Sequence, residues 1–138
     1  MAITYTTNVN DIPIDGLGNL EESVGWKRTD DMTQKKMLAG SDWVIGAKDG
    51  EKLVGFVRVC GDGVIYAFAT NLMVHSDYRR QGIAREMMTR LKKWVMENNF
   101  GTLRLFAYVK GDPGLFGFYE KLGYERWNNA MRMKGMEF

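Results

Sequence analysis

Cysteine, histidine and proline are scarce in this chain of 138 residues, which contains one, one and two of them. A single cysteine excludes an internal disulfide and fits a reducing compartment. No cluster of His, Cys or Asp has metal-ligand spacing, so we expect no metal. No apolar run reaches the length of a bilayer span, and the first sixteen residues lack the basic and apolar regions of a secretory signal. We therefore expect a cytoplasmic protein with no membrane partner.

Two common nucleotide-binding patterns are also missing. Neither Gly-x-Gly-x-x-Gly nor Gly-x4-Gly-Lys-Ser/Thr occurs in the sequence. The net charge of +2 is too small for a nucleic-acid surface. Hydrophobic residues make up 45% and charged residues 26%, which is ordinary for a soluble globular protein. We expect one domain spanning residues 1–138, with a local basic patch for a small anionic ligand.

Apolar patterning predicts alternating strands and helices. Strands are predicted at residues 3–7, 43–47, 53–59, 64–74 and 103–109. The stretch 64–74 is almost continuously apolar, which is typical of a central strand covered on both faces. Asp49-Gly50 predicts a hairpin turn between the second and third strands. The unit formed by 64–74, the next helix and 103–109 is predicted to be a right-handed parallel crossover.

Helices are predicted from capping residues and from the 3.6-residue period. Residues 13–40 predict two short helices broken near Gly25, the second capped from residues 29–31. A long helix follows Gly82, with an apolar stripe at Ile83, Met87, Leu91 and Val95. A last helix starts at Gly111 or Asp112 and ends at Gly123. An antiparallel pair at 124–127 and 130–138 is predicted to close the chain.

The most informative stretch, residues 71–85, combines an apolar strand, a basic loop and the start of the long helix. The first amides of a helix lack partners within it and, with the helix dipole, attract an anion. Gly82 lets a phosphate approach the backbone closely. Arg79, Arg80 and Arg85 surround a helix N-terminus, where cations are unfavourable unless an anion binds. We name residues 79–85 the cradle and expect a diphosphate there; three solvated surface arginines are the alternative.

Two motifs resemble those of the GNAT N-acetyltransferases. Residues 79–84 read Arg-Arg-Gln-Gly-Ile-Ala and fit the family signature Arg/Gln-x-x-Gly-x-Gly/Ala, between an apolar strand and a helix as that signature requires. Residues 118–124 read Phe-Tyr-Glu-Lys-Leu-Gly-Tyr and resemble the second hallmark, Tyr-Glu-Lys-x-Gly-Phe/Tyr at a helix end. The resemblance covers about residues 44–127, and the N-terminal third is the part that varies among relatives.

The resemblance implies an α/β fold of the mixed α+β kind, the GNAT acyl-CoA N-acyltransferase fold. Its central, mostly antiparallel mixed sheet splays open at the middle, with helices on both faces. Acetyl-CoA, the co-substrate, would enter the gap, with its diphosphate on the cradle amides and its pantetheine arm along the strand. A bulge in that strand would free an amide to polarise the thioester carbonyl. The residues assigned to acetyl-CoA are Leu72, Met73, Val74, Arg79, Arg80, Gln81, Gly82, Ile83, Ala84, Arg85, Asp112, Phe116 and Tyr119.

Tyr119 resembles the general acid of the family, which donates a proton to the leaving thiolate. The alternative is that Tyr119 is one more core aromatic on an apolar helix. Asp112 stands where many relatives have an asparagine that binds the pantetheine arm, and an ionised carboxylate cannot donate. It therefore either contacts that arm or simply caps the helix.

The general base is left open by the sequence. Relatives often place an acid just before the Leu-x-Val of the central strand, where this chain has Thr70 and Asn71. The amine could lose its proton to ordered water and backbone carbonyls, or to a carboxylate of the N-terminal helices. The candidates are Glu21, Glu22, Asp30 and Asp31.

The resemblance implies an acyltransferase (EC 2.3.1.-) that moves acetyl from acetyl-CoA to a primary amine of a small molecule or peptide by direct attack. The partners expected are acetyl-CoA and the amine, with a homodimer allowed because relatives are often dimers. A CoA-binding module with this fold and little turnover is the alternative, and a nucleotide-binding protein is a third. His75 is weighed as a base and Cys60 as a nucleophile, and a structural role is favoured for both.

Overall fold

A computed structural model describes residues 2–107, 112 and 114–136. It divides into two compact units, Met1–Phe106 and Ala107–Phe138. Of the elements formed by the described residues, the first unit contains the five strands and three of the α-helices, and the second contains one further α-helix. The organisation of residues 1–138 as one domain stays a prediction.

The described residues form a sheet of five strands in the order β1-β2-β3-β4-β5. β1 to β4 pair antiparallel, and β5 lies parallel to β4. This confirms the mixed, mostly antiparallel sheet and the parallel crossover. The strands are β1 Ile3–Thr6, β2 Trp43–Asp49, β3 Lys52–Gly61, β4 Tyr66–Val74 and β5 Thr102–Arg104. The helices are α1 Ile14–Ser23, α2 Asp31–Gly40, α3 Ile83–Glu97 and α4 Leu115–Lys121, with single 3-10 turns at Val9–Asp11 and Ser76–Tyr78.

Local signals place α1 and α2 as predicted. The chain breaks between them at Gly25, whose φ of +83° is costly for other residues. Asp30 caps α2, because its side chain accepts a hydrogen bond from the Thr33 amide at 3.0 Å. The hairpin turn at Asp49-Gly50 is also confirmed, with Gly50 at a φ of +59°.

Helices cover both faces of the sheet. Trp43 stacks on Trp94 of α3, with ring centroids 5.7 Å apart. The next residue, Val44, is buried in a cluster with Leu17 of α1 and Leu38 of α2. Because successive strand residues point to opposite faces, α3 packs on one face and α1 with α2 on the other. The stripe predicted for α3 is confirmed, since Ile83, Met87, Leu91 and Val95 are all buried.

The predicted strand 64–74 begins two residues late. Asp62 Oδ1 accepts hydrogen bonds from the amides of Val64, Ile65 and Tyr66, at 2.8 to 2.9 Å. These bonds hold the segment in a turn, and the side chains of Val64 and Ile65 are exposed. β4 therefore starts at Tyr66, which is exposed, and only Ala67, Ala69 and Met73 of the strand are buried, so the expectation of a strand covered on both faces was too strong.

The C-terminal predictions were partly wrong. β5 ends at Arg104 instead of 109; residues 105–107 are not strand, and residues 108–111 lie outside the described part. α4 starts at Leu115 and is followed by Gly123, at a φ of +99°. No strand occurs in 124–136, so within the described residues the closing antiparallel pair is absent. Met131, Met133 and Met136 are largely exposed, which shows that apolar content alone does not make a strand without a partner.

Candidate functional site

β4 carries a bulge at the position that the resemblance implies. Phe56 of β3 lies opposite Met73, but Arg58 lies opposite Thr70. Asn71 and Leu72 together therefore oppose the single residue Val57, which interrupts the regular hydrogen-bond ladder. Asn71 has a φ of +61°, a left-handed conformation that asparagine tolerates better than most residues. The bulge frees backbone groups at the strand that is expected to bind the pantetheine arm.

Within the described part of the chain, the far edge of β4 is paired along only part of its length. β5 pairs only with Tyr66, Ala67 and Phe68. Among the described residues, no strand pairs with positions 69–74 on that side. Met73 is buried there, while Leu72 and Val74 are half-buried. An extended ligand can therefore lie along this edge as an additional strand, using main-chain hydrogen bonds.

Four residues separate the end of β4 from the cradle, which leads into a helix without a side-chain cap. Gly82 is the N-cap of α3, has a φ of +78° and contributes no side-chain cap. The first amide bonded back into the helix is that of Glu86, which donates to the Gly82 carbonyl at 3.0 Å. The amides of Ile83, Ala84 and Arg85 precede it, so they have no partner within the helix. A Cβ added at Gly82 would meet no atom within 4 Å, so Gly82 itself lies in open space.

Three arginines surround these amides without a compensating acid. Arg79, Arg80 and Arg85 are exposed, and none of them makes an ion pair within the described part of the chain. Arg80 has a φ of +63°, which is uncommon for a non-glycine residue and occurs mainly where surrounding structure imposes it. Positive side chains at the positive end of a helix are unfavourable on their own. A diphosphate between them would satisfy the amides and the arginines together.

The segment between β4 and the cradle is held by its own hydrogen bonds. The His75 amide donates to the Val54 carbonyl at 2.8 Å, and His75 Nδ1 accepts from the Asp77 amide at 3.1 Å. The Tyr78 hydroxyl donates to Asp49 Oδ2 at 2.6 Å, and this bond raises the pKa of Tyr78. These contacts give His75 a capping role, in agreement with the structural role favoured for it.

Tyr119 lies on α4 in the second unit and is buried. Burial raises the pKa of its phenol above the ordinary 10.0, so the group keeps its proton at neutral pH. Its ring packs edge-on to Phe118 and Tyr124, at centroid distances of 5.1 and 5.8 Å. A buried, protonated phenol is suited to donate a proton to a leaving thiolate.

The other two predicted residues of this unit make local contacts. Asp112 Oδ1 accepts from the Gly114 amide at 3.0 Å in the turn that precedes α4, and no side chain caps the helix itself. The Arg126 guanidinium stacks over the Phe116 ring at 4.3 Å. Neither contact tests the assignment of Asp112 or Phe116 to acetyl-CoA.

The candidate carboxylate bases have mainly structural partners. Glu21 is buried and accepts from the Thr29 amide, the Thr29 hydroxyl and Gln34 Nε2, at 2.9, 2.8 and 2.8 Å. Glu22 pairs with Arg28, and Asp30 caps α2. Asp31 is exposed in the first turn of α2. No group of His, Cys, Asp and Glu within the described residues could hold a metal ion.

Arg58 is not among the residues that the sequence patterns single out. It is the one charged side chain between Leu53 and Cys60 of β3, and that isolation is a signal that could have identified it. Its Nε donates to Asn71 Oδ1 at 2.7 Å, directly at the bulge. Cys60 is half-buried, as expected, and Trp43 stacks on Trp94 of α3.

Comparison with known proteins decides the family. Residues 16–124 match the acetyltransferase (GNAT) family. The chain belongs to this family. The match includes the bulge, the cradle and α4, so it covers the first and second motifs as well as most of the sheet. No helix in the described part of this GNAT protein is long and apolar enough to cross a bilayer.

Individual relatives agree with this assignment. An uncharacterized N-acetyltransferase ycf52-like protein of Prochlorococcus marinus is 31% identical over 112 residues, which are 78% of this chain and 60% of the relative. The chain thus spans about three fifths of that relative's length. A GNAT-family acetyltransferase of Streptococcus pneumoniae has a TM-score of 0.74 at 27% identity and 96% coverage of both chains. A protein of unknown function from meticillin-resistant Staphylococcus aureus has a TM-score of 0.81 at 19% identity, covering 96% of this chain and 99% of that one, and shares the fold.

Proposed function

We propose that this GNAT protein transfers the acetyl group of acetyl-CoA to a primary amine of a small molecule or peptide. One observation carries the proposal: a bulged strand, whose edge no described strand covers beyond Phe68, is followed by an uncapped helix N-terminus within residues 71–85. The two features offer main-chain donors for two different parts of one ligand. The strand edge suits an extended amide-containing arm, and the cradle suits a diphosphate.

The reaction requires one bond to form and one to break at the thioester carbon. The amine nitrogen attacks with its lone pair, forms the C–N bond and loses a proton, while the C–S bond breaks and the thiolate leaves. An amide freed by the bulge at Asn71 and Leu72 is assigned to stabilise the negative charge on the carbonyl oxygen. Tyr119 is assigned to protonate the thiolate. Because Thr70 and Asn71 offer no base, the amine proton is assigned to water.

The direct test is release of free thiol from acetyl-CoA in the presence of primary amines, measured on the purified chain. We expect amine-dependent release, with the acetylated amine as the second product. Tight CoA binding without release for polyamines, aminoglycosides, amino acids and peptides would instead support the binding module. Displacement of CoA by ATP at equal concentration would favour a nucleotide-binding protein. The cytoplasmic location and the oligomeric state stay predictions.

Replacement of Tyr119 by phenylalanine tests the general acid. We expect kcat to fall about a hundredfold in Tyr119→Phe, since general acids contribute about 10²–10⁴ in rate. The affinity for CoA should stay within about twofold, because the phenol is assigned to the leaving group.

Tyr124→Phe is the matched control for this experiment. Tyr124 is a second phenol in the same unit, and burial together with the Tyr119 charge raises its pKa to about 12. It should retain its kcat within about threefold, since no step uses it. Equal kcat values in wild type and Tyr119→Phe would remove Tyr119 from the chemistry and leave the cofactor assignment intact.

A further inference from the structure

Arg58 of β3 is half-buried and only partly bonded. Its Nε donates to Asn71 Oδ1 at 2.7 Å, and its Nη1 donates to Ser41 Oγ at 3.4 Å. Both acceptors are neutral. A guanidinium carries five N–H donors in a planar fork, so two bonds leave most of that capacity unused.

No carboxylate of the described residues neutralises this arginine. Arg58 takes part in none of the ion pairs there, in contrast to Arg28 and Arg90. Asp42 follows Ser41 in sequence, but its carboxylate lies beyond ion-pair distance of Arg58. A partly buried charge without a counter-ion is unfavourable, and a bound anion would offset that cost.

The position of Arg58 connects it to the reacting end of the proposed site. It lies opposite Thr70, immediately beside the bulge, and its hydrogen-bond partner Asn71 is the residue before Leu72. Val44 lies opposite Arg58 on the other side, and Val44 is buried with α1 and α2. Cross-strand neighbours share a face of the sheet, so Arg58 lies on the α1–α2 face and not on the α3 face.

We propose that Arg58 binds a carboxylate of the acceptor, so that the preferred acceptor is an amine that also carries a carboxylate group. The inference rests on the proposed acetyl transfer and narrows its second substrate. A carboxylate fits because its two oxygens match the planar fork of a guanidinium. Asn71 supports this role, since an acid at the same position would pair with Arg58 and compete with the acceptor.

The test compares kcat/KM for acceptors that differ only in this group. Glycine, β-alanine and γ-aminobutyrate are each measured against their neutral amides, which keeps the amine and the chain length constant. We expect the best acid to exceed its amide by about tenfold or more, as a charge-assisted hydrogen bond suggests. An aminoalkyl phosphate of matched length shows whether the site takes phosphate equally well, which would overturn the choice of carboxylate.

Two variants should each remove the preference for the acid over its amide, for different physical reasons. Arg58→Gln should reduce the acid-to-amide ratio of kcat/KM to within about twofold, and this ratio is the readout because a change at the bulge would alter both reactions alike. Asn71→Asp should reduce the same ratio while keeping the side-chain shape, because its carboxylate would pair with Arg58 in place of the acceptor. Arg90→Gln is the control, since Arg90 already pairs with Glu86 on α3, and it should keep the full ratio.

The outcomes separate this inference from the proposed reaction. An unchanged ratio in Arg58→Gln, or no acid preference in the wild type, would overturn the role of Arg58 while thiol release still supports acetyl transfer. If no amine releases thiol, acetyl transfer fails, and the Nε–H resonance of Arg58 is followed during titration with CoA present. A saturable shift with the acids and none with the amides would support the carboxylate site, and no shift with either would overturn it.

Discussion

Two loops of the first unit differ in whether their polar groups have hydrogen-bond partners. They are the α1–α2 loop (residues 24–30) and the cradle. In and beside the α1–α2 loop, Glu21 accepts three hydrogen bonds from Thr29 and Gln34. Arg28 is equally well bonded, since it pairs with Asp15 and Glu22. Each buried charge there has a partner, as expected for a loop that holds two helices together.

In the cradle, backbone amides and arginine side chains lack such partners among the described residues. Three helix amides have no intrahelical partner, and the arginines beside them have no acid among the described residues. Both loops contain a glycine at positive φ with clear space around it, Gly25 at +83° and Gly82 at +78°. Backbone geometry therefore does not distinguish the two loops. The difference lies in the unsatisfied donors, which indicate a ligand where satisfied donors indicate structure.

The largest expected effect comes from filling the cradle. In Gly82→Glu, a carboxylate would occupy the space above the helix amides and repel a diphosphate. We expect the Kd for CoA to rise by at least about a hundredfold, measured by calorimetry, because the change removes the amide contacts and adds a like charge. The variant should also lose about 1 kcal/mol of unfolding free energy from the strained φ.

Gly25→Glu provides the control for that strain. It places the same side chain at nearly the same φ, with nothing within 4 Å, in the loop where the donors are already satisfied. It should lose a similar amount of stability and keep its CoA affinity within about twofold. Equal loss of affinity in both variants would mean that Gly82 acts through folding alone, and the comparison of the loops would fail.

The parts of the fold that sequence predicts are those that depend on neighbouring residues. The break at Gly25, the cap at Asp30 and the stripe of α3 are local, and each is confirmed. The cradle could be predicted for the same reason, since Arg79, Arg80 and Gly82 lie within four residues of the chain. Amides at a helix N-terminus come from sequence-local geometry, so a glycine and a helical pattern suffice to predict them.

Two of the remaining features depend on pairing across the sheet, and a third depends on one competing side chain. The bulge at Asn71 exists because β4 has one residue more than β3 between two fixed pairs, and no local pattern encodes that count. Arg58 can be identified as a candidate site residue only from its contacts with Asn71 and Ser41, which the folded sheet creates. The late start of β4 is set by Asp62, whose carboxylate outweighs the apolar character of Val64 and Ile65. Long-range register and side-chain competition thus decided what the sequence patterns could not.

Removal of the buried Glu21 carboxylate tests the structural role assigned to the α1–α2 loop. Glu21→Ala would leave the Thr29 amide, its hydroxyl and Gln34 Nε2 without their acceptor. We expect a loss of about 2–3 kcal/mol in unfolding free energy, measured by denaturant unfolding, because unsatisfied buried donors cost about 1–3 kcal/mol. The CoA affinity of the folded fraction should change by less than about twofold.

Glu22→Ala is the neighbouring control. Glu22 is exposed and makes a surface ion pair with Arg28, so its removal should have a much smaller effect on stability. A loss of turnover in Glu21→Ala at full CoA occupancy would contradict the structural assignment and restore Glu21 as a candidate base. That result would also weaken the rule that satisfied donors indicate structure.

The smallest expected effects come from replacing Arg79 and Arg80, a comparison that separates the contribution of charge from that of backbone strain within the cradle. Arg80 has a φ of +63° and Arg79 a φ of −70°, so the two arginines differ in strain but not in charge. Arg80→Asn and Arg79→Asn should each weaken CoA binding by roughly three- to tenfold, since each removes one positive charge near the diphosphate. Only Arg80→Asn should gain stability, by about 0.5–1 kcal/mol, because asparagine adopts a left-handed φ at lower cost. Binding titrations at two salt concentrations and denaturant unfolding measure the two effects separately. If Arg80→Asn gains stability without losing affinity for CoA, the strained backbone of Arg80 does not serve CoA binding. The assignment of the cradle to a diphosphate would then lose one of the observations that support it.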